Sequence, residues 1–299
     1  MLSETPQKTR LYITIVMVVA ALITIFAEPL LVKQILPPII EGQQARFEKM
    51  SASDKQEDKV KAELIKDTPF LVSFFYPFWM ALGVFASIVI LVIARQYYEG
   101  KQWARGVALL CLAMPAMGGA YMLVPAINFT GFGSYVIYSM IISLLGLIPY
   151  FTIILGEKAT VRNKVWSAVI FLLLGIQGAH SFANGHAAMR IQWMHPARPV
   201  WAPGTWVLWL GTQVMWLGTI CIILAIFYLG ARKKTGWYLA TIGGATTMLA
   251  NYWVHLVRGT TSDYILGGSL GLAILILMLI PAISKPLYDD DEPEAAVAS

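Results

Sequence analysis

Charged residues are scarce in this chain, and that scarcity limits the kind of protein it can be. They make up 13% of the sequence, whereas hydrophobic residues make up 58%. Soluble domains contain roughly 25% charged residues. A chain this apolar cannot hide its nonpolar surface from water as one or two soluble domains. The sequence therefore predicts a polytopic membrane protein.

Several chemical signatures are also missing. The chain has only two cysteines, Cys111 and Cys221, both inside apolar runs, so a disulfide framework or zinc-ligand spacing is excluded. No CxxCH haem attachment, Walker loop, nucleophile elbow or HExxH motif occurs. No apolar run carries the rows of charge expected of a proton pump. The formal charge of +5 falls mostly in short loops, so we expect no nucleic-acid binding.

Long apolar runs are what the sequence does contain. Eight of them are near or above the ~20 residues that a helix needs to cross a bilayer. They cover residues 11–36, 69–94, 103–127, 132–155, 164–186, 204–230, 236–258 and 262–283. Helices fit because each backbone polar group must be satisfied within its own segment. We predict an all-α membrane protein with eight transmembrane helices.

The basic residues predict an orientation. With the N-terminus inside, the inner segments hold 12 Lys and Arg, and the outer segments beyond the first loop hold 3. The first outer loop, residues 37–68, is discounted because its bases alternate with acids. Under the positive-inside rule both termini are cytoplasmic. Lys8 and Arg10 precede an apolar run without a small-residue cleavage pattern, so we read it as an anchor in a bacterial inner (cytoplasmic) membrane.

Two segments outside the apolar runs are predicted to be exposed. In the outer loop 37–68, the run Ser51–Asp54 has the composition of a helix cap, and Glu57 with Lys61 has helical i,i+4 spacing. This loop is either a solvated helical hairpin or, with residues 187–203, a docking surface for an extracytoplasmic partner. Residues 285–299 form an acidic tail, which is typical of a solvating end.

Two stretches of the chain resemble each other. Residues 90–123 and 223–249 each run from a helix end through a basic turn with one Trp to a Gly-Gly-Ala followed by Met-Leu. Each is followed by an apolar helix that ends in Leu-Ile-Pro, at Pro149 and Pro281. The pattern predicts two parallel four-helix units, 1–155 and 156–284. Chance similarity between apolar helices is the alternative.

The second unit also resembles a known family. Leu-Gly-Ala-Arg232, a helix with Met248 and His255, a short loop and a final apolar helix are similar to DoxX-type four-helix membrane proteins over residues 164–283. The chain departs from that pattern because it lacks a Thr before Arg232 and has a long Trp-rich outer loop. The resemblance implies association with quinone-linked redox systems or a role as an accessory membrane subunit. It implies no catalytic residue.

Polar side chains follow one face on each of two predicted helices. The first set lies at i, i+3, i+4 and i+7: Gln177, His180, Ser181 and Asn184. The second lies at i, i+4 and i+8, with an arginine three residues further on: Thr247, Asn251, His255 and Arg258. Polar groups in a bilayer face the bundle interior or a cavity. We therefore expect an outer-side pocket lined by His180, Asn184, Asn251, His255 and Arg258.

The expected pocket has three interpretations. Two neutral imidazoles, His180 and His255, are suited to bind a metal or the iron of a haem b, with Arg258 on a propionate or on a quinone carbonyl. Interhelical hydrogen bonding without any cofactor is equally in keeping with the pattern. A proton or small-ligand site is the third. His186 and His195, close to two methionines, offer imidazole and thioether ligands for copper.

One acid and several tryptophans complete the set of candidates. Glu28 is the carboxylate well inside a predicted span, which predicts a proton site or a hydrogen-bond anchor. If the helix ends at Pro29, Glu28 instead reaches interfacial water. Four tryptophans surround the outer loop: Trp193, Trp201, Trp206 and Trp209. They form either an interfacial belt or a lid over a pocket for an apolar ring such as a quinone or pigment.

These patterns together predict an integral membrane subunit of a redox or energy-conversion complex, with an outer-side pocket for haem or quinone. We expect a non-catalytic or electron-transfer subunit whose partners are membrane lipids and other subunits. Two alternatives remain: a cofactor-free structural or accessory subunit, and a small-solute or proton-coupled carrier.

Overall fold

The computed structural model describes residues 2–66, 68–193, 204–258 and 262–289. Helices dominate these ranges: α1 Gln7–Ser51, α2 Gln56–Ile65, α3 Thr68–Tyr98, α4 Gln102–Thr130, α5 Ser134–Gly156, α6 Val161–Trp193, α7 Thr205–Gly230, α8 Lys234–Arg258, α9 Asp263–Leu279 and α10 Pro281–Ser284, followed by a 3-10 turn, Lys285–Leu287. The described ranges contain no strand, only an isolated bridge between Lys233 and Asp289. The protein is all-α.

Six of these helices are long and apolar enough to cross a membrane: α1, the segment containing α3, α4, α5, α6 and α7. The α9 helix would make a seventh if it is taken together with the segment beyond its 86° bend. The predicted span 262–283 is not one straight helix, because α9 ends at Leu279 before this bend. The α8 helix is not among the six, so eight transmembrane helices stay a prediction. Large apolar side chains stand outside the bundle, such as Phe85 at 66% and Leu217 at 62% exposure. A multi-pass membrane protein accounts for such a surface.

The first helix is longer than the sequence predicts. It continues through Pro29, Pro37 and Pro38 to Ser51, so the helix extends 15 residues beyond the predicted span 11–36. An internal proline removes one backbone hydrogen bond, but tertiary contacts can hold a helix through it. Val32, Ile35 and Ile39 are buried on one face of this stretch. The outer loop 37–68 therefore consists mainly of the end of α1 and of α2.

The α2 helix begins later than the composition indicated. Its N-cap is Lys55, and no side chain caps it. The predicted cap at Ser51–Asp54 is wrong because Ser51 instead ends α1. The predicted i,i+4 pair is confirmed: Lys61 Nζ lies 2.5 Å from Glu57 Oε1. This ion pair raises the pKa of Lys61 above its ordinary value.

Both halves of the chain pack their helices in the same order. In the first half α3 packs against α1 and α4, and α5 closes the ring by packing against α4 and α1. In the second half α7 packs against α6 and α8, and α9 closes the ring against α8 and α6. This common order is what a duplicated four-helix unit requires. The duplication itself stays a prediction.

The two Gly-Gly pairs occupy matching places in these rings. A Cβ on Gly118 would meet Trp79 of α3, and one on Gly119 would lie 2.5 Å from the Ser143 amide of α5. A Cβ on Gly243 would lie 2.7 Å from Ile222 of α7, and one on Gly244 would lie 3.0 Å from the Gly271 carbonyl of α9. In each pair the first glycine thus faces the preceding helix and the second faces the following helix. Small residues at such crossings let helix backbones approach closely.

The halves meet where the beginning of α4 crosses the end of α7. A Cβ on Gly106 would lie 2.5 Å from the Phe227 carbonyl, so the two backbones are in contact there. Next to this crossing, Arg105 is buried and pairs with Glu157 at the end of α5. Its Nη1 also donates to the Gly230 carbonyl at 2.5 Å. One guanidinium thus connects α4, the end of α5 and the end of α7.

Candidate functional site

The two predicted polar faces, on α6 and α8, meet inside the second half. Asn184 Nδ2 donates to Asn251 Oδ1 at 2.7 Å. Asn251 Nδ2 donates in turn to the Thr247 carbonyl at 2.8 Å and to Ser181 Oγ at 3.4 Å. Gln177 Nε2 donates to the Gly267 carbonyl at 2.9 Å. The faces therefore point inward, as predicted, and hydrogen bond to each other and to α9.

At one end of this network, side chains of α6 and α8 bond to the beginning of α9. His180 Nε2 donates to the Asp263 carbonyl at 2.8 Å, and Asn184 Nδ2 lies 3.2 Å from the same oxygen. Arg258 Nη1 donates to the Tyr264 hydroxyl at 2.8 Å. That hydroxyl donates to the Asn184 carbonyl at 3.4 Å. Four of the five residues expected to line a pocket thus belong to one hydrogen-bonded network.

The fifth residue, His255, stands apart from this network. It is partly buried, and its Nδ1 has no hydrogen-bond partner within the described part of the chain. The described residues show no ring contact between His255 and His180. They also contain no group of three or more His, Cys, Asp or Glu side chains arranged to hold a metal ion. The assignment of haem or metal to His180 and His255 stays a prediction.

The middle of the network is closely packed. A Cβ on Gly267 would lie 2.5 Å from Asn251 Oδ1 and 2.9 Å from Asn184 Nδ2, so the α9 backbone lies directly against both amides. Interhelical amide bonds of this kind stabilise membrane helices by about 0.6 kcal/mol each on average. This geometry favours a structural role for Asn184 and Asn251 over the lining of an open pocket.

A separate apolar cavity lies at the same end of the molecule as the beginning of α9. Its volume is about 420 Å³, and it is lined by side chains of α3, α6 and α7: Phe70, Leu71, Phe74, Phe75, Met189, Trp209, Gln213 and Trp216. Gln213 is the one side chain in this set with amide hydrogen-bonding groups. Pockets for small organic ligands commonly have this size, mostly apolar walls and a few polar groups.

Aromatic side chains continue behind the cavity. Phe182 is at their centre: its ring centroid lies 5.3 Å from those of Phe75 and Trp79 and 6.1 Å from that of Trp216. His186 packs on Phe75 with centroids 4.5 Å apart, and its Nδ1 lies 3.1 Å from the Tyr121 hydroxyl. One ring, Phe75, therefore separates the cavity from a hydrogen-bonded histidine–tyrosine pair.

Most of this cavity was not predicted from the sequence. Trp209 was a candidate, but the run from Pro69 to Trp79 was not, although it carries five aromatic rings before its final tryptophan: Phe70, Phe74, Phe75, Tyr76 and Phe78. That density was the available signal. His186 was predicted as a copper ligand with His195. His195, Met194 and Trp201 lie outside the described residues, as do residues 194–203 of the proposed partner surface.

Glu28 is fully buried where α1 crosses α3. Its side chain is 0% exposed, and neither carboxyl oxygen has a hydrogen-bond partner in the described part of the chain. The carboxyl group rests against Gly83, where a Cβ would collide with it. Because α1 does not end at Pro29, Glu28 does not reach interfacial water. An ionised carboxylate without a partner is very costly in an apolar interior.

No family model, curated protein sequence or solved structure matches this chain. The resemblance of residues 164–283 to DoxX-type proteins therefore stays a prediction, and function has to be argued from the site itself.

Proposed function

We propose that this protein is an integral membrane subunit of a redox or energy-conversion complex that binds a quinone-type ring on its extracytoplasmic side. The observation that supports this most is the cavity of about 420 Å³ between α3, α6 and α7, with its aromatic walls and single amide. A quinone is a flat apolar ring with two carbonyl oxygens. Aromatic walls suit its faces, and the Gln213 amide suits a carbonyl.

This ring site is not the pocket between α6 and α8 that the sequence predicted. The network of His180, Asn184, Asn251 and Arg258 becomes the framework that fixes α9 against α6 and α8. The ring site lies on the opposite side of α6, beside α3. We further propose that the protein has eight transmembrane spans, that both termini are cytoplasmic, and that it lies in the inner membrane. Electrons come from another subunit or an extracytoplasmic partner at residues 37–68 and 187–203.

Quinone binding can be tested on the purified protein. We expect organic extraction to recover a quinone in near-stoichiometric amount, and a short-chain benzoquinone to quench tryptophan emission in a saturable way. Gln213→Leu removes the amide and should weaken binding by about two- to tenfold. Phe74→Leu should weaken it by a similar factor because it removes a ring from the wall.

Phe85→Leu is the matched control for Phe74→Leu, because Phe85 lies on the same helix with comparable exposure but outside the cavity. It should leave quinone affinity unchanged. If no quinone is extracted and quenching does not saturate, the proposal fails, and a cofactor-free structural subunit becomes the better explanation.

A proton-coupled carrier is the second candidate, and buried Glu28 is the observation that favours it. Intramembrane acids commonly belong to proton pathways. In liposomes that contain a pH-sensitive dye, we expect the wild-type protein to conduct protons and Glu28→Gln to abolish this flux. Glu48→Gln, an exposed acid on the same helix, is the control. Equal flux in wild type and Glu28→Gln would eliminate Glu28 as the coupling acid.

A further inference from the structure

A second cavity lies at the opposite end of the bundle, on the side where the basic loops cluster. Its volume is about 290 Å³. The turn between α5 and α6 and the first two turns of α6 form one wall, and the C-terminal turn at Pro286 and Leu287 forms another. Arg105 and Arg232 also line it, so both halves of the chain contribute to its wall.

The two arginines on this cavity are already paired. Arg105 forms an ion pair with Glu157. Arg232 Nη2 lies 2.8 Å from Asp289 Oδ1, and its Nη1 donates to the Pro286 carbonyl at 3.0 Å. These bonds hold the guanidinium groups in place and balance their charge. The two arginines therefore form part of the cavity wall, but their charge is already balanced by acids.

Two lysines supply the charge that remains. Lys158 and Lys164 both line the cavity, and neither ammonium has a carboxylate within ion-pair distance among the described residues. Lys164 Nζ donates to the Leu155 carbonyl at 2.7 Å, which orients this ammonium but leaves its charge uncompensated. The lining residues include two acids, Glu4 and Glu157, against two lysines and two arginines. The wall thus favours an anion.

The other lining groups can hydrogen bond to such an anion. Thr160, Asn163 and Ser167 offer two hydroxyls and an amide on the wall that holds Lys164. Ile154, Phe171 and Leu287 make the remaining surface apolar. Hydroxyl, amide and ammonium donors together suit phosphate oxygens, and an apolar patch beside them suits the glycerol and first methylenes of a lipid.

We propose that this cavity binds a phosphate-bearing anionic head group. Basic pockets between helices on the cytoplasmic side of membranes bind anionic lipids in this way, and anionic lipids are abundant in that leaflet. Because Arg105 and Arg232 come from different halves, an occupant also bridges the two four-helix rings. The phosphate belongs either to a membrane phospholipid or to a free phosphate ion, which share this chemistry.

Native mass spectrometry of the full-length protein in detergent tests the site. The probes are phosphatidylglycerol, zwitterionic phosphatidylcholine and inorganic phosphate. We expect phosphatidylglycerol to bind about tenfold more tightly than phosphatidylcholine, and Lys158→Gln/Lys164→Gln to remove that preference. Displacement of phosphatidylglycerol by millimolar phosphate identifies the phosphate itself as the recognised group, whereas resistance to displacement identifies the intact lipid.

Two further variants make the test decisive. Lys8→Gln/Lys101→Gln neutralises two exposed lysines on the same end of the molecule but outside the cavity, and should keep the preference for phosphatidylglycerol. Lys158→Arg/Lys164→Arg retains the charge and should also keep it, which separates a loss of charge from a failure to fold. If the cavity variant binds phosphatidylglycerol as tightly as the control pair does, the proposal is overturned.

Discussion

The two halves of this protein share one helix order, but the amide pair buried in the second half and the acid buried in the first differ in their hydrogen bonding. In the second half, Asn184 and Asn251 bond to each other and to neighbouring backbone at 2.7–3.2 Å. In the first half, Glu28 is equally buried, and its two oxygens have no partner among the described residues. The amides stabilise the packing of their helices. The buried acid has no such bond among the described residues, and the proton role proposed for Glu28 rests on this difference.

The α3–α4 turn of the first half and the corresponding α7–α8 turn of the second half also differ. The α3–α4 turn contains Gly100 with φ of 83°, a conformation that glycine adopts without strain. The α7–α8 turn instead places Arg232 at φ of 59°. Left-handed backbone is unfavourable for a side chain with a Cβ, and the bonds from Arg232 to Asp289 and Pro286 offset that cost. At this turn the second half uses polar contacts where the first uses a glycine.

The largest expected effect concerns the contact between the halves. Arg105→Gln leaves the largely buried Glu157, whose side chain is 12% exposed, without its partner, so we expect a loss of about 3–5 kcal/mol in the free energy of unfolding in micelles. The double variant Arg105→Met/Glu157→Met removes both charges and should recover most of that loss. If the double variant is as unstable as Arg105→Gln, the unpaired charge on Glu157 is not the cause of the loss, and the bond from Arg105 to the Gly230 carbonyl becomes the better explanation.

The matched glycines give the next largest effect and test the likeness of the two rings directly. Gly119→Leu and Gly244→Leu should each destabilise by about 1–3 kcal/mol, because overpacking forces the neighbouring helix away. Gly119→Leu should destabilise more. A Cβ at Gly119 would lie 2.5 Å from a backbone amide of the neighbouring helix, whereas a Cβ at Gly244 would lie 3.0 Å from a backbone carbonyl. Thermal unfolding of both variants measures this. A large effect at one position with none at the other would contradict equivalent packing.

Much of this comparison could be predicted from the sequence. Apolar run length gave the helices, and the Gly-Gly-Ala repeat indicated matching rings, because both depend on local composition. The inward polar faces followed from helical spacing at Gln177 and Asn251. The hydrogen-bond partners of these side chains could not be predicted. Helical spacing shows which residues share a face, but it does not show whether two faces touch or leave a cavity between them. The close approach of Gly267 to Asn251 decides that question, and it depends on how three helices pack.

The burial of Arg105 and the aromatic cavity could not be predicted from the sequence for the same reason. Arg105 is one of the twelve inner bases counted for orientation, and nothing near it in the sequence indicates that it is buried and paired with Glu157, more than 50 residues later. The cavity combines side chains from three helices that are distant in the chain. The continuation of α1 through Pro29 was also not predictable, since local rules favour an interruption there.

Opposite changes in stability are expected from two near-isosteric substitutions. Glu28→Met removes a buried carboxyl without partners and should stabilise by about 1–2 kcal/mol. Asn251→Leu removes the bonds to Asn184 and to the Thr247 carbonyl and should destabilise by about 1–2 kcal/mol. Both are measured as unfolding free energies in the same detergent. A loss of stability in Glu28→Met comparable to that in Asn251→Leu would show that the acid is structural and would remove the contrast between the halves.

The smallest effects separate the two histidines of the second half. His180→Ala loses its bond to the Asp263 carbonyl and should cost about 0.6 kcal/mol. In the described part of the chain His255 Nδ1 has no hydrogen bond to lose, so the free energy of unfolding of His255→Ala should stay within about 0.5 kcal/mol of wild type. The same samples decide the haem hypothesis through absorption spectra of air-oxidised and dithionite-reduced protein. A Soret band with a sharp reduced α-band that disappears in both variants would make the histidines haem ligands. A featureless wild-type spectrum, with neither iron nor copper by elemental analysis, would leave His180 as part of the amide network. The redox role would then rest on the aromatic cavity alone.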